Sequence, residues 1–240
     1  MENTLTVALA RQAVLARQMD VISTNLANMT TAGFKAEHMI FTEFLDRTAN
    51  GPALSLVHDV TYLRDMAEGP MTGTNNPLDL AIHGDGFFVV RTPDGPRYTR
   101  HGAFQLDQQG QLVTFDGNPV QGTGGAPILV PPGTSNIVIT RDGTISADAN
   151  EIGRLRVVRF ENEQALAKDG SGLYDAKEQP PQPAPDAEIL QGMIESSNVK
   201  GITEMTRMID VVRGYQAASR LAETEHRRIL DAIDAIVATT

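Results

Sequence analysis

The sequence predicts an α+β protein, with N- and C-terminal helices packed together as a coiled-coil-like domain and a central antiparallel, mainly-β domain between them. The first observation behind this is a 3-4 spacing of apolar residues at both ends of the chain. It runs through Leu5, Ala8, Leu15, Met19, Ile22 and Leu26, with Gln12 off pattern. It returns through Met205, Met208, Val212, Tyr215, Ala222, Ile229, Ile233 and Ile236, with Ser219 and His226 off pattern. Stripes this narrow are seams for other helices rather than broad faces for a globular core. The second observation is a run of short β-type segments in the middle of the chain, punctuated by Asp-Gly pairs. The third is the segment Pro180-Pro181-Gln182-Pro183-Ala184-Pro185, which no helix or central strand tolerates.

Taken in order, residues 1–33 form the N-terminal helix segment, helical over 4–28 with Asn3 or Thr4 as N-cap and Thr30, Thr31 and Gly33 as its stop. Residues 34–78 are a connector or extended arm. Its Phe34, Met39, Ile40, Phe41, Phe44 and Leu45 fit a short helix and an extended arm equally. Residues 79–174 hold the β domain. Its β-type runs centre on Leu80–Ile82, Phe87–Val90, Gln111–Thr114, Asn136–Ile139 and Leu155–Val158. Asp85-Gly86, Asp94-Gly95, Asp116-Gly117, Asp142-Gly143 and Asp169-Gly170 are expected hairpin turns, because Asp-Gly accepts the positive φ angles of a type I′ turn. Residues 175–195 are a Pro-rich linker, extended at ~3.1 Å per residue, followed by one return strand over 188–195. Residues 196–240 form the C-terminal helix, capped by Ser196, Ser197 or Asn198, with Arg213, Arg220, Arg227 and Arg228 on its polar side.

A lone helix of this length is marginal in water. The five large apolar residues of the first stripe contribute ~10 kcal/mol gross when buried, against an ordering cost of ~1–2 kcal/mol per residue. The ends are therefore expected to fray in a monomer and to be helical in an oligomer.

Composition excludes several function classes. The chain has 240 residues, a formal net charge of -10 and no basic run longer than Arg227-Arg228. No phosphate-tracking patch for nucleic acid exists in such a sequence, and attachment to an anionic membrane is disfavoured for the same reason. No segment approaches the ~18 apolar residues of a membrane span, so membrane insertion is not expected. The N-terminus lacks the basic n-region of a signal peptide, and Arg11 and Arg17 interrupt its apolar stretch. With no cysteine, disulfides, thiolate metal sites and Cys nucleophiles are all ruled out.

Candidate chemistry is thin. His83, Asp85 and His101 are the best metal or general-base cluster, yet they match no ligand spacing, and Asp85-Gly86 is already explained as a turn. Asp142-Gly143-Thr144 with Asp148 and Asn150 fails the calcium-loop pattern, because glycine directly follows the first aspartate. Gly122-Thr123-Gly124-Gly125 lacks the Lys-Ser/Thr of a phosphate loop, and no Gly-x-Ser-x-Gly elbow is present. The expectation is a protein with no catalytic residue, no cofactor and no metal. Met205 and Met208 then serve as adaptable packing on the seam, and His226 as a solvated edge residue.

Three stretches nonetheless form a pattern. Asn25-Leu26-Ala27-Asn28-Met29-Thr30-Thr31-Ala32-Gly33-Phe34-Lys35 closes the first helix. Asp79–Phe88, Tyr98–Phe104 and Gly110–Val113 lie in the β region. Glu195-Ser196-Ser197-Asn198-Val199, with Glu204 to Ile209 and Arg213 to Gln216, opens the last helix. Together they resemble the signatures of the flagellar rod and hook protein family, in the expected order and over almost the whole chain. Length and the plain 36–78 segment favour a proximal rod type over a distal rod or hook type.

The resemblance implies a non-catalytic structural subunit of the basal-body rod. It would self-associate through its terminal helices to build the drive shaft that transmits torque. Implied partners are other rod proteins, proximal and distal, copies of itself, and the flagellar export apparatus, which it would pass without a cleaved signal peptide. Asn25, Ala27, Asn28, Thr31, Gly33, Phe34 and Lys35 would shape the helix-to-β junction. Ser197, Asn198, Val199, Glu204 and Met205 would shape the return, with Asn198 as cap. Alternatives are a distal rod or hook-like sibling, and a secreted β-rich glycan-binding or hydrolytic module.

Overall fold

The computed structural model describes residues 2–46 and 54–237. Its elements, in chain order, begin with α1 (Glu2–Ala27), β1 (Glu37–Asp46), β2 (Leu54–Arg64), β3 (Met71–Gly73), β4 (Leu80–His83), β5 (Phe87–Thr92) and β6 (Gly95–Thr99). There follow β7 (Phe104–Leu106), β8 (Leu112–Thr114), β9 (Ile137–Ile139), β10 (Thr144–Ala147), β11 (Asn150–Arg154) and β12 (Val157–Arg159). The chain closes with β13 (Ala167–Asp169), β14 (Leu173–Asp175), β15 (Gln182–Pro183), β16 (Glu188–Gln191), β17 (Met193–Glu195) and α2 (Gly201–Val237). Terminal helices in contact with each other flank an antiparallel β region, the α+β class expected from the sequence.

Two compact units emerge. One comprises Met1–Ala27, Glu37–Arg64 and Val199–Thr240, the other Asn28–Ala36 and Asp65–Asn198. The second is wider than the expected 79–174, because it also takes in residues 28–36, 65–78 and 175–198.

In the helical unit α1 packs along α2. Ala8, Val21, Ile22 and Asn25 are buried on α1, with Leu15, Met19 and Leu26 half-buried. Leu15 sits over Gly214, whose absent Cβ would lie 3.6 Å from both its methyls. The covered stripe of α2 runs Glu204, Met208, Val211, Ala218, Ala222 and Ile229. It keeps Met208, Ala222 and Ile229 of the expected heptad, is deepest at 204, 211 and 218, leaves Val212 and Ser219 half-buried and leaves Met205 exposed. An α-helix turns by 3.6 residues, so a face covered by a single partner drifts off a strict 3.5-residue repeat.

The segment left open between helix and arm is an antiparallel ribbon. β1 pairs β2 from Glu37↔Arg64 onward, with a bulge between Thr42 and Glu43.

The β unit is built from a six-stranded sheet in the order β13-β14-β6-β5-β12-β15, a three-stranded sheet β11-β10-β9, and the pairs β16-β4, β17-β3 and β7-β8. Strand β5 is buried on both faces, as its continuous apolar run demands. Phe88 and Val90 join Leu80, Ile82, Phe104, Leu112, Ile145, Leu155 and Ile189 in one core. Phe87 and Val89 join Tyr98, Val158, Phe160, Leu166 and Tyr174 in the other. Edge-to-face ring pairs, Tyr98–Phe160 at 4.7 Å and Phe88–Phe104 at 5.1 Å, fix the packing.

Asp94-Gly95, Asp142-Gly143 and Asp169-Gly170 do fall where the paired strands β5/β6, β9/β10 and β13/β14 connect, and Asp116-Gly117 lies in the turn closed by the Val113↔Pro119 bridge. None of these aspartates has a positive φ, so the turns are not the expected type I′ centred on Asp-Gly. Asp85-Gly86 does not close a hairpin, since β4 pairs β16 while β5 pairs β6 and β12. The proline segment is not a free spacer either. Gln182 and Pro183 pair with β12 at the edge of the six-stranded sheet, where proline's missing N–H costs nothing. The return strand splits at Gly192 into β16 and β17, which pair with β4 and β3.

Candidate functional site

The residues of the two terminal signatures form hydrogen-bonded constellations, one in each unit. In the β unit the first turn after α1 is closed by Thr31 N–H to Asn28 O at 3.1 Å and by the Thr31 hydroxyl to Asn28 Oδ1 at 3.2 Å. Gly33 follows at φ +65, the left-handed conformation that side chains resist. A Cβ there would also lie 2.6 Å from the Arg100 carbonyl carbon. The Gly33 N–H donates to Glu195 O at 2.8 Å, the Ala36 N–H to Asn198 Oδ1 at 2.8 Å, and the Asn198 N–H to Phe34 O at 3.4 Å. The segment after α1 and the segment before α2 therefore bind each other directly.

At the centre is a buried charge cluster. Lys35 and Glu195 are each 1 % exposed and Arg100 is 3 % exposed. Lys35 Nζ donates to Glu195 Oε1 at 2.6 Å and to Ala67 O at 2.8 Å. Glu195 Oε1 also accepts from the Gly69 N–H at 2.9 Å, an approach that needs glycine because a Cβ on Gly69 would lie 2.0 Å from Ser196 O. Arg100 Nη1 lies 3.6 Å from Glu195 Oε2 and donates to Ile82 O, with its guanidinium 5.5 Å from the centre of the Phe87 ring. Phe34 is buried under the Lys168 ammonium, 4.4 Å from its ring centre. Glu163 feels the cluster at a distance. Burial pushes its carboxyl above the usual range, and Arg100 and Lys35 draw it partly back.

Asn198 does not cap α2. Its Nδ2 donates to Asp65 O at 2.8 Å and Ala67 O at 3.0 Å while its Oδ1 holds the Ala36 amide, and the helix opens only at Gly201. Ser196 and Ser197 likewise precede the helix start.

In the helical unit Asn25, fully buried on α1, plays the matching part. Its Oδ1 accepts from the Glu37 N–H at 2.9 Å and its Nδ2 donates to Glu37 O at 2.8 Å, so the amide pairs with the first residue of β1 as a neighbouring strand would. The same Nδ2 lies 3.3 Å from Glu204 Oε2, and Glu204 Oε1 is paired with Arg207 Nη1 at 2.7 Å. Ala27 ends α1 and is exposed, and Val199 is half-buried.

The seam residues fall into two groups. Ile22 is buried, and Leu15, Met19, Leu26, Met208 and Ile229 are half-buried in the helical unit. Met205 is 48 % exposed and Tyr215 36 %, with Val212 half-buried. Ile202 and Ile209, absent from the expected seam, extend the same side at 86 % and 53 % exposure. The side chains of Leu5, Ile233 and Ile236 lie outside the described residues.

The weighed chemical residues do not converge. His83 is exposed and its Nδ1 lies 3.1 Å from both Glu68 oxygens. His101 lines a cavity of about 980 Å³ with Gly33, Phe34, Phe104 and Asp116, and burial lowers its pKa against the opposing pull of Asp116 and Asp79. Among the described residues no three His, Asp or Glu side chains are grouped to hold a metal. No described helix is long and apolar enough to cross a membrane.

Spacing along the chain did not reveal Glu195 as the partner of Lys35, nor Arg100 and Gly69 as the other partners of Glu195. The one available signal was a lysine inside the otherwise apolar Gly33-Phe34-Lys35-Ala36.

Comparisons with known proteins find three family matches along the chain. Residues 3–35 match the family described as flagella basal body rod protein, 81–147 the flagellar hook protein FlgE/F/G D1 domain, and 190–234 the flagellar basal body rod FlgEFG protein C-terminal family. The flagellar basal-body rod protein FlgF of Caulobacter vibrioides is 40% identical, covering 93% of each chain. FlgF of Salmonella typhimurium is 36% identical over 90% of this chain and 91% of its own. FlgG of Bacillus subtilis is 35% identical over 86% and 89%.

Proposed function

Because the chain belongs to the flagellar basal-body rod protein family of FlgE, FlgF and FlgG, we propose that it builds the rod as a FlgF-type subunit, using a free apolar stripe on α2 to join its neighbours. It is a structural, non-catalytic rod protein, and membership implies assembly with other rod proteins. Its immediate neighbours in this reading are copies of itself and adjoining rod subunits of the proximal segment.

The observation that carries the reading is the stripe Ile202, Met205, Ile209 and Val212. One side of α2 is already covered, at Val211 and Ala218, yet a second apolar line runs beside it, exposed at Ile202, Met205 and Ile209 and half-buried at Val212. Contiguous exposed apolar surface on a helix marks a partner. Each such side chain stabilises a contact by ~1.5–3 kcal/mol when fully buried.

The test is substitution on each stripe. Met205→Asp and Ile209→Asp should leave the purified monomer's helix content and melting temperature unchanged, yet abolish incorporation into isolated basal bodies. Leu15→Asp, which loses packing on Gly214, should lower the melting temperature of the monomer itself. Motile cells with normal rods carrying Met205→Asp and Ile209→Asp would refute the assignment. The comparable identity to a FlgG relative makes a FlgG-type rod subunit the second reading. Locating the protein along isolated basal bodies separates the two.

A further inference from the structure

Glu195 joins three stretches of the β unit that are far apart in sequence, and its buried carboxylate faces two buried cations. We propose that Glu195 is a conformational latch, whose carboxylate makes the ordering of residues 28–36 conditional on the docking of the return strand β17.

The first reason is the charge balance. Lys35 and Arg100 are two buried cations facing one buried carboxylate. Lys35 Nζ has the Ala67 carbonyl and Glu195 Oε1 as its hydrogen-bond acceptors. Without the carboxylate, the ammonium would sit in a low-dielectric interior with one carbonyl and a neighbouring guanidinium. A buried cation so placed is driven back to water. Lys35 lies between α1 and β1, in a stretch with no strand pairing of its own, so its backbone can follow the ammonium out.

The second reason is that three further backbone ties of this stretch lead to the same place, beside the Asp65 N–H to Ala36 O bond at 2.7 Å and the Lys168 contact on Phe34. Gly33 N–H reaches Glu195 O, Ala36 N–H reaches Asn198 Oδ1, and Phe34 O accepts from Asn198 N–H. The two hydrophobic cores contain no residue from 28–36. Core formation therefore does not require this stretch, whereas the stretch requires residues 195–198. With Lys35 and Glu195 160 positions apart in sequence, loop closure is costly unless the core has first brought the two together. The stretch after α1 thus settles last, when nearly the whole chain is present.

Hydrogen–deuterium exchange on the purified full-length protein tests this, with Glu195→Gln, Lys35→Met and the double variant. Glutamine keeps the shape of Glu195 and its backbone pairing with Met71 and Gly33. Glu195→Gln should lower the protection of amides 33–36 by on the order of 100-fold, while amides 87–90 in β5 keep theirs. With Lys35 replaced by methionine no ammonium needs the carboxylate, so Glu195→Gln in that background should leave amides 33–36 protected. Unchanged protection at 33–36 in Glu195→Gln overturns the latch. So does an equal loss in the Lys35→Met background, which would place the effect at Gly69 or Arg100. A parallel loss at 87–90 also overturns it, because the stretch and the core would then be one cooperative unit.

Discussion

At the scale of single residues, backbone conformation and charge placement make definite demands. Gly33 is held at φ +65 with the Arg100 carbonyl carbon 2.6 Å from where a Cβ would stand. Gly33→Ala should cost about 1–2 kcal/mol from the left-handed conformation alone, and more from the clash, read as a lowered denaturation midpoint. Asp142 makes a pH-dependent contribution. Hydrogen bonds from the Thr140 and Thr144 hydroxyls, with Arg154 3.5 Å away, lower its pKa to about 2 from an ordinary 3.8. A depressed carboxylate stabilises the fold above its unfolded pKa, and that contribution is lost as pH falls through the folded value. Asp142→Asn should therefore lower the melting temperature at pH 7, with the difference from the parent closing between about pH 4 and pH 2.

At the scale of elements, the joints between helix and strand are made by side-chain amides. Asn25 binds both backbone groups of Glu37 and points Nδ2 at Glu204. Asn25→Ala leaves a buried N–H and C=O without their partner, a loss of roughly 1–3 kcal/mol. Asn25→Asp keeps the Glu37 N–H satisfied but sets a carboxylate oxygen against both Glu37 O and the Glu204 carboxylate. It should be the more destabilising of the two at pH 7, and denaturant titration of the two variants decides the order. Such joints explain what was legible in the sequence. Helix periodicity, the apolar run of β5 and three Asp-Gly hairpins depend on neighbours a few residues apart, and pattern captures them. The partners of Lys35 and Asn198 do not, since Glu195 and Ala36 are set by the path of the whole chain. Asn198 has the residue type of a helix cap, and only the fold shows that its amide serves Ala36, Asp65 and Ala67. On α2, the heptad pattern took in covered and exposed apolar residues alike, because spacing alone does not say which of them find a partner within the chain.

At the scale of the whole molecule, the chain leaves the helical unit, builds the β unit and returns, and strand pairing decides how much chain the β unit needs. A fragment of 79–174 would keep both central strands β5 and β6 but lose β16, whose Ile189 sits in the core and whose backbone pairs the whole length of β4. It would also lose β15 from the edge of the six-stranded sheet, the β17–β3 pair, and the carboxylate opposite buried Arg100. An exposed β4 edge and an unpaired buried guanidinium each oppose folding. A fragment of 28–198 retains every one of these contacts, including Lys35 and the Gly33 turn. In calorimetry, 28–198 should melt in a single cooperative transition, and 79–174 should give none or aggregate. If 79–174 melts as sharply and at the same temperature, the return strands and the charge cluster are dispensable to the β unit, and its minimal folding unit is the central sheet alone.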